Sequence, residues 1–385
     1  TRRLAQRPGY VVLEYRRPVI RDKRQSTLME VPAPSSVLDG SLADVSFLAG
    51  LLVDKFLYHL PLYRQHQRLA AAGVRLARST LTGLMQRTAD LLQPIYEAQL
   101  SSVVRGQVVT MDETPIKAGR KRRGKMKTGY FWPIYGDQDE VVFPFSESRS
   151  GEMLRQTLGE YCGVLVSDGY AAYEKYAAQM NDVVHAQCWS HTRRQFLKAE
   201  DVEPELAGTA LDYIGRLYQA EEELRRKLFD EAKHIERRAR SCKPVVDAFF
   251  EWLKTAVEER LLLPRNPFSE AAAYALEREA SLRVFLDHPH VPVDTNHLER
   301  EIRPLALGRK NWLFCWTEVG AQEVGVFQSL LSTCRLQDID PYTYLVDVLQ
   351  RVEIHPAADA ALLTPRLWKQ HFAADPLRSA IDRHV

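Results

Sequence analysis

QVVTMD (107–112) and GVLVSD (163–168) are short apolar runs that each end in an aspartate, and their reading decides the fold. Both are dense in β-branched and aliphatic residues, the pattern of strands buried on both faces of a sheet. Open α/β sheets built from such strands carry their working groups at the carboxyl ends, where side chains leave the sheet edge into a crevice. Asp112 and Asp168 stand at those ends. If the two strands lie side by side and parallel, their carboxylates face each other and need a counter-ion. Mg²⁺ or Mn²⁺ suits that role, being a hard cation that takes carboxylate oxygens and leaves positions for water and phosphate. A strand-ending aspartate is also an ordinary helix cap or turn former, so a third acid has to decide the matter.

Working outward, GYFWPIYG (129–136) and EVVFPFS (140–146) read as two further strands in hairpin order after 107–112, and DVVHA (183–187) as a fifth. Helical segments near 151–160 and 170–180 separate the later strands. The expected core is a mixed sheet covered on its faces. From 189 to 287 the spacing is helical throughout. Upstream, residues 1–40 are basic and Pro/Ser-rich and read as an arm or linker. Ser41 and Asp44 cap a first helix that Pro61 stops. LPLYRQHQRLAAAG and STLTGLMQRTADLLQ follow as a helix pair joined by GVRLAR, with Gly73 at a helix end and Ser79 as N-cap. The pair has helix-turn-helix dimensions, with 80–92 entering a major groove, or it is a helical hairpin packed on the core. Thr1 in place of an initiator Met implies an upstream segment.

The bulk numbers bound the function. At 385 residues and 45% hydrophobic, the chain can bury a proper core. It has no apolar run near the ~20 residues needed to span a bilayer, and no signal core at its start. Five scattered cysteines without a CxxC pair suit a reduced, cytoplasmic protein. With 52 basic and 50 acidic residues the net charge is +2, so charge distribution carries the information. KAGRKRRGKMK holds Lys117, Arg120, Lys121, Arg122, Arg123, Lys125 and Lys127 with no acid. As a loop between the first two strands it is either a phosphate-neutralising segment or a solvated surface.

The third acid lies in DTNHLEREIRPLALGRKNWLF (294–314). On a helix, Asn296, Glu299 and Arg303 share one face, Pro304 ends or kinks it, and Arg309 and Lys310 follow where they could meet phosphate. A surface helix with exposed ion pairs is the plainer reading of the same spacing. Trp132, Trp312 and Trp316 suit core packing first and stacking on an unpaired base second, with Trp312, beside Arg309 and Lys310, the first to test for stacking.

TMDETPIKAGRKRRGKMKTGYFWPIYGD, LVSDGYAAYEKY, AQCWSHTRRQF and NHLEREIRPLALGRKNWLF, in this order, resemble the transposases of the insertion-sequence-66 family. YHLPLYRQHQRLAAAGVRLARSTL and SLLSTCRLQDIDPYTYLVDVL extend the resemblance over nearly the whole chain. The family belongs to the DDE transposases, and the resemblance implies an α/β, ribonuclease-H-like mixed-sheet core interrupted by a large α-helical insertion, with an N-terminal helical DNA-binding region. It implies Asp112, Asp168 and Glu299 as the catalytic triad, binding two Mg²⁺ or Mn²⁺ ions. The implied partners are transposon terminal inverted repeats and target DNA, a second copy of the chain on DNA, and small accessory proteins of the element. The implied place is the bacterial nucleoid. His191, in a C-x-x-H with Cys188, is implied to sit near the scissile phosphate or to support the site. Arg193 and Arg194 are candidates for phosphate contact, or else form exposed ion pairs with glutamates of the helical insertion. A structural zinc at this C-x-x-H lacks a second ligand pair, and the family's cysteine-rich zinc segment has no counterpart before Cys162.

The expected organisation is an arm (1–40), a helical DNA-binding region (41–100), the first part of the core (101–200), the insertion (201–290), the rest of the core (291–352) and a C-terminal tail (353–385). Two other readings compete: a DNA-binding regulator or inactive remnant, and a nuclease of the same fold that nicks without joining. Two-carboxylate glycoside hydrolysis explains neither the basic run nor RPLALGRKNW.

Overall fold

The computed structural model describes residues 9–21, 28–30, 36–226, 229–259, 263, 265–312, 315 and 317–382. The arm is not wholly irregular, since β1 (Val19–Arg21) pairs antiparallel with β2 (Leu28–Glu30). Three helices follow: α1 (Val45–Phe56), α2 (Leu62–Ala71) and α3 (Arg78–Val103). Asp44 caps α1 by accepting the Ser46 N–H at 2.9 Å, and α1 ends before Pro61. The N-cap of α3 is Ala77 rather than Ser79, and the helix runs past the expected 80–92 and through Pro94 to Val103. Proline inside a helix costs about 3 kcal/mol. Burying a leucine or isoleucine returns roughly 1.5–3 kcal/mol, and Leu92 and Ile95, on either side of Pro94, are both fully buried.

The sheet runs through β3 (Val108–Met111), β4 (Thr114–Arg122), β5 (Lys125–Phe131), β6 (Ile134–Gly136), β7 (Val141–Val142), β8 (Phe145–Ser146), β9 (Gly163–Ser167) and β10 (Val183–Gln187). Five of these form one sheet in the order β10-β9-β3-β6-β7, with β3, β9 and β10 parallel and β6 and β7 antiparallel. A second, three-stranded sheet has the order β4-β5-β8. The two runs expected as single strands, 129–136 and 140–146, therefore each split in two. The reason is Pro133 and Pro144, which cannot donate to a ladder. The hairpin thus leaves the main sheet at Asp112–Glu113, Trp132–Pro133 and Phe143–Pro144, all at one level. The basic run is not a loop. It forms the β4–β5 hairpin, which turns at Arg123 and Gly124, the latter at φ 75°.

Between β8 and β10 lie α4 (Glu152–Leu158) and α5 (Ala171–Ala177). Alternate residues of the central strands face opposite ways, as the period-2 geometry demands. Val109, Met111 and Leu165 pack with Leu154, Leu158 and Tyr173 on the side of α4 and α5. Val108, Val164 and Val166 pack with Trp189, Phe196 and Phe249, which belong to the helical block that follows. That block is α6 (Trp189–Ala199), α7 (Pro204–Arg225), α8 (Glu231–Ser241), α9 (Lys243–Glu259), α10 (Pro267–Glu277) and α11 (Glu279–Arg283), in agreement with the helical spacing of 189–287.

The chain then returns through α12 (Asn296–Trp312), α13 (Glu318–Leu336), α14 (Pro341–Arg351) and α15 (Pro365–His371). Pro304 neither ends α12 nor breaks it, because Leu298 and Leu305 on its inner face are fully buried. Helices α1, α3, α13 and α14 share one core with β4 and β5.

The free edge of β7 is covered by α13. Val141 N–H donates to Thr333 Oγ1 at 3.1 Å, Phe143 N–H donates to Ser329 Oγ at 2.8 Å, and Gln99 Nε2 donates to the Val141 carbonyl at 2.8 Å. Side chains thereby satisfy an edge that would otherwise pair with another chain. The approach is close enough that a Cβ on Gly325 would lie 2.4 Å from the Phe143 carbonyl oxygen. Gly325→Ala is expected to destabilise by roughly 1–3 kcal/mol, although alanine is the better helix former by about 1 kcal/mol. Urea denaturation reads the sign, and a stabilised variant would show that the edge strand yields.

Among the described residues no helix is long and apolar enough to cross a membrane. The fold is a mixed α/β one, whose described residues bury three apolar clusters around the sheets.

Candidate active site

Asp112 and Asp168 each follow the last residue of a strand, β3 and β9. In that parallel pair Thr110 stands opposite Val166, so the residues two further on leave the same end of neighbouring strands on the same face. A cleft of about 430 Å³ opens there, lined by Asp112, Glu113, Arg149, Asp168, His191, Arg194, Glu299, Ile302 and Arg303. The two aspartates and Glu299, distant in sequence, are thus brought to one place.

Burial pushes the Asp112 carboxyl up to about 7; the Glu113 N–H, donating to its Oδ1 at 2.7 Å, opposes this, and the charges of Glu113 and Asp168 add to it. His191 favours the ionised form only weakly, and among the described residues no cation is hydrogen-bonded to Asp112. Asp168 accepts the Tyr170 N–H on Oδ1 at 2.9 Å, which sets the turn into α5. The helical block packs directly on that turn: the Tyr274 hydroxyl of α10 lies 2.6 Å from where a Cβ on Gly169 would sit, so any side chain there would displace the Tyr274 ring.

Glu299 sits in the first turn of α12. Arg194 Nη2 donates to its Oε1 at 3.2 Å, and His191 Nε2 stands 3.9 Å from the same oxygen. The third acid is held by Arg194 of α6 with His191 beside it, and among the described residues no three His, Cys, Asp or Glu groups stand together as a ready metal cage. Asn296 is not brought into the cleft. Its amide is spent on Asp294 Oδ2 at 2.7 Å, while Arg303, one turn beyond Glu299, does line it.

Glu113 is the acid whose role the sequence leaves open, since it adjoins Asp112. Its side chain is 3% exposed, with Oε1 taken by Arg149 and Oε2 by the Tyr173 hydroxyl at 2.9 Å. Neither oxygen is free for a metal. Glu113, Arg149 and Tyr173 escape sequence reading because no local pattern joins them.

Cys188 is buried at the N-terminus of α6, where its Sγ accepts the Thr295 N–H at 3.2 Å and lies 3.1 Å from Ser190 Oγ. Burial pushes the thiol up, but His191 and these neighbours outweigh it and bring it below its ordinary range. The sulfur thus ties α6 to the residue just before α12.

The remaining predicted residues divide. Arg120, Lys121, Arg122, Arg123 and Lys125 are exposed on the hairpin, and none forms an ion pair among the described residues. Lys117 donates to Thr128 Oγ1 at 2.5 Å, and Lys127 pairs with Glu318 at 2.7 Å and Glu147 at 3.2 Å. Arg309 is turned onto the hairpin, donating to Thr114 Oγ1 at 3.2 Å and to the Pro115 carbonyl, so it braces β4. Lys310 is exposed. Trp132 is wholly buried. Trp312 is half-buried against the core, with Lys55 Nζ 5.7 Å from the centre of its ring. Trp316 lies outside the described residues.

Comparison with known proteins gives this geometry its family. A profile of the Transposase IS66 family matches residues 40–323, and one of the IS66 C-terminal element matches 329–365. The chain belongs to the Transposase IS66 family. The IS66 match spans all three acids of the cleft together with the helical block between the second and third. Similar proteins include three from Sinorhizobium fredii (strain NBRC 101917 / NGR234). "Uncharacterized protein y4hP" is 30% identical over 92% of this chain and 67% of its own length. "Uncharacterized protein y4jD" is 32% identical over 85% and 66%, and "Uncharacterized protein y4qI" 29% over 94% and 69%. The chain spans about two thirds of the length of these relatives.

Proposed function

We propose that the chain is the catalytic part of a DDE transposase, which cleaves DNA at transposon ends and transfers the freed 3′-hydroxyl into target DNA. The observation that carries this reading is the register of β3 and β9, which presents Asp112 and Asp168 together at the mouth of a cleft that also holds Glu299. The strand order supports a ribonuclease-H-like core, with three antiparallel strands, β3, β6 and β7, followed by β9 and β10 added parallel on the other side of β3.

The donor set fits Mg²⁺ or Mn²⁺, because a buried carboxyl pushed up to about 7 beside a second carboxylate gains from a hard divalent cation. Asp112 and Asp168 would hold the ions, and Glu299 would join them on giving up Arg194. When bound, two such ions activate an attacking water or 3′-hydroxyl and stabilise the leaving oxygen of an in-line displacement at phosphorus. The protein's own residues supply position. β3 and β9 fix the two aspartates on adjacent strands, α12 brings the glutamate, and Arg194 released from Glu299 can turn to phosphate.

The test supplies duplexes bearing the element's ends, target DNA and Mg²⁺ and looks for 3′-end cleavage and joined product. Cleavage without joining would favour a nuclease, and metal-independent binding without cleavage a regulator or inactive remnant. Work with a second copy of the chain and the element's accessory proteins belongs to the same assay, since both are proposed partners on DNA.

The hairpin is proposed to contact DNA phosphates. Replacing Arg120, Lys121, Arg122, Arg123 and Lys125 with glutamine is expected to flatten the dependence of log Kd on log salt by up to about 4, at about 0.9 per phosphate contact. Titrations between low and moderate salt measure it, and an unchanged slope would make the hairpin a solvated surface.

A further inference from the structure

Arg238 and Arg149 are each held by a buried glutamate, to opposite ends. Arg238 spends every donor it has. Nε and Nη2 donate to Glu221 at 2.8 and 2.9 Å, Nη1 to the carbonyls of Phe285 and His288 at 2.6 and 2.9 Å, and Nη2 again to that of Val291 at 3.0 Å. Its side chain is 3% exposed, and its work is structural. Arg149, between β8 and α4, uses Nε and Nη2 on Glu113 Oε1, and its Nη1 has no acceptor among the described residues. Its side chain is 48% exposed and lines the cleft with Asp112 and Asp168.

Arg149 is also set in place more firmly than a half-exposed arginine ordinarily is. Its guanidinium carbon lies 4.2 Å from the centre of the Tyr170 ring. The Tyr170 hydroxyl donates to the Arg149 carbonyl at 2.8 Å, and the Tyr170 N–H donates to Asp168. Glu113 behind it is fixed in turn by Tyr173. The stack and the ion pair remove most of the rotamer freedom that binding a ligand would otherwise have to remove. Glu113 and Arg149 both line the cleft, but the glutamate's oxygens are taken by Arg149 and Tyr173, whereas Arg149 keeps N–H groups without an acceptor among the described residues. A cleft lined by Asp112, Asp168 and Glu299 besides the paired Glu113 repels a phosphodiester unless its wall offers such donors.

We propose that Arg149 is a phosphate-binding residue of this cleft, whose Nη1 edge donates to a nonbridging oxygen of the DNA strand that meets Asp112 and Asp168. The inference rests on the DNA-processing reading above and adds to it a residue and the atom it recognises. Glu113 is the positioning residue that aims it.

The experiment is a coupling measurement by metal-free binding, so that nothing is cleaved. Duplexes bearing the element's end are made with single phosphates replaced one by one by neutral methylphosphonate, and Kd is measured for the full chain and for variants. For the wild-type chain, the ratio of modified to unmodified Kd is expected to peak at one phosphate or two adjacent ones. At that peak the ratio should fall by roughly tenfold or more in Arg149→Gln, the scale of a charge-assisted hydrogen bond. The double variant Glu113→Gln/Arg149→Gln leaves no stranded buried charge, so its fold is protected, and it should lose the same discrimination. A ratio that survives in the double variant overturns the proposal and leaves Arg149 as a structural partner of Glu113. Failure of the wild-type chain to cleave unmodified ends with Mg²⁺ would instead count against the transposase reading, and the coupling would still be readable.

Discussion

Replacing Asp112 with asparagine is expected to abolish metal-dependent cleavage while leaving DNA binding within a few-fold of the wild type. The substitution keeps the volume and the acceptor for the Glu113 N–H, and removes only the charge. Since metal coordination supplies several kcal/mol of transition-state stabilisation, the loss should be on the order of 10³-fold or more. On the proposed reading binding would rest on Lys and Arg contacts elsewhere, so it should persist. Asp168→Asn and Glu299→Gln are expected to behave alike in the same assay.

Asp112→Asn should also have a second, opposite effect on the metal-free fold. A carboxyl pushed up to about 7 when folded, against about 3.9 when unfolded, binds its proton more tightly in the native state. The native state therefore loses stability as pH rises from about 4 to about 7, and the loss is complete above that. Asparagine has no such loss, so the variant should melt higher than the wild type at pH 8 in chelator, with little difference at pH 4. Melting curves at the two pH values check it. A variant that keeps near-normal strand transfer, or melts lower at pH 8, would sink the assignment of Asp112 as a charge held ready for a cation.

The second large effect is expected at Arg238, which does not line the cleft. Arg238→Met leaves Glu221 charged and buried, and strips the donors from three carbonyls at Phe285, His288 and Val291. Removing one partner of a buried ion pair costs about 3–5 kcal/mol, whereas replacing both with apolar groups is often close to neutral. Arg238→Met should thus fall in that range by urea denaturation, and Glu221→Leu/Arg238→Met should recover most of it. Lysine would not rescue, having three donors where five are in use. The segment these bonds hold leads directly to Asp294 and α12, so the single variant should also lose cleavage beyond what its folded fraction explains. A cost under about 1 kcal/mol would mean that water reaches Glu221.

Nothing in the order of residues marks Arg238 out from Arg237 and Arg240 except helical phase. His234, Arg238 and Cys242 recur four apart on the face of α8 that is buried, and a buried arginine on a polar helix is invisible until its partner helix is in place. The hairpin shows the reverse case. Its residues are legible as basic and read as a loop, but Gly124 at φ 75° and the two prolines that split the neighbouring strands place the charges on paired strands instead.

The ends of the two apolar runs separate what residue order determines from what packing determines. Sequence by itself determined that 107–112 and 163–168 are buried strands with an acid at each end, that a helical stretch intervenes before a third acid, and that one segment is strongly basic. These follow from residue types within a window of a few residues, which is the range over which hydrophobic period and turn chemistry act. Only the tertiary structure decided which of Asp112 and Glu113 stays unpaired, that Glu299 rests on Arg194, and that Arg149 faces the cleft. Those outcomes depend on partners 36, 60 and 105 residues away. Neutralising a buried charge is a matter of distance in space, and no local pattern records it.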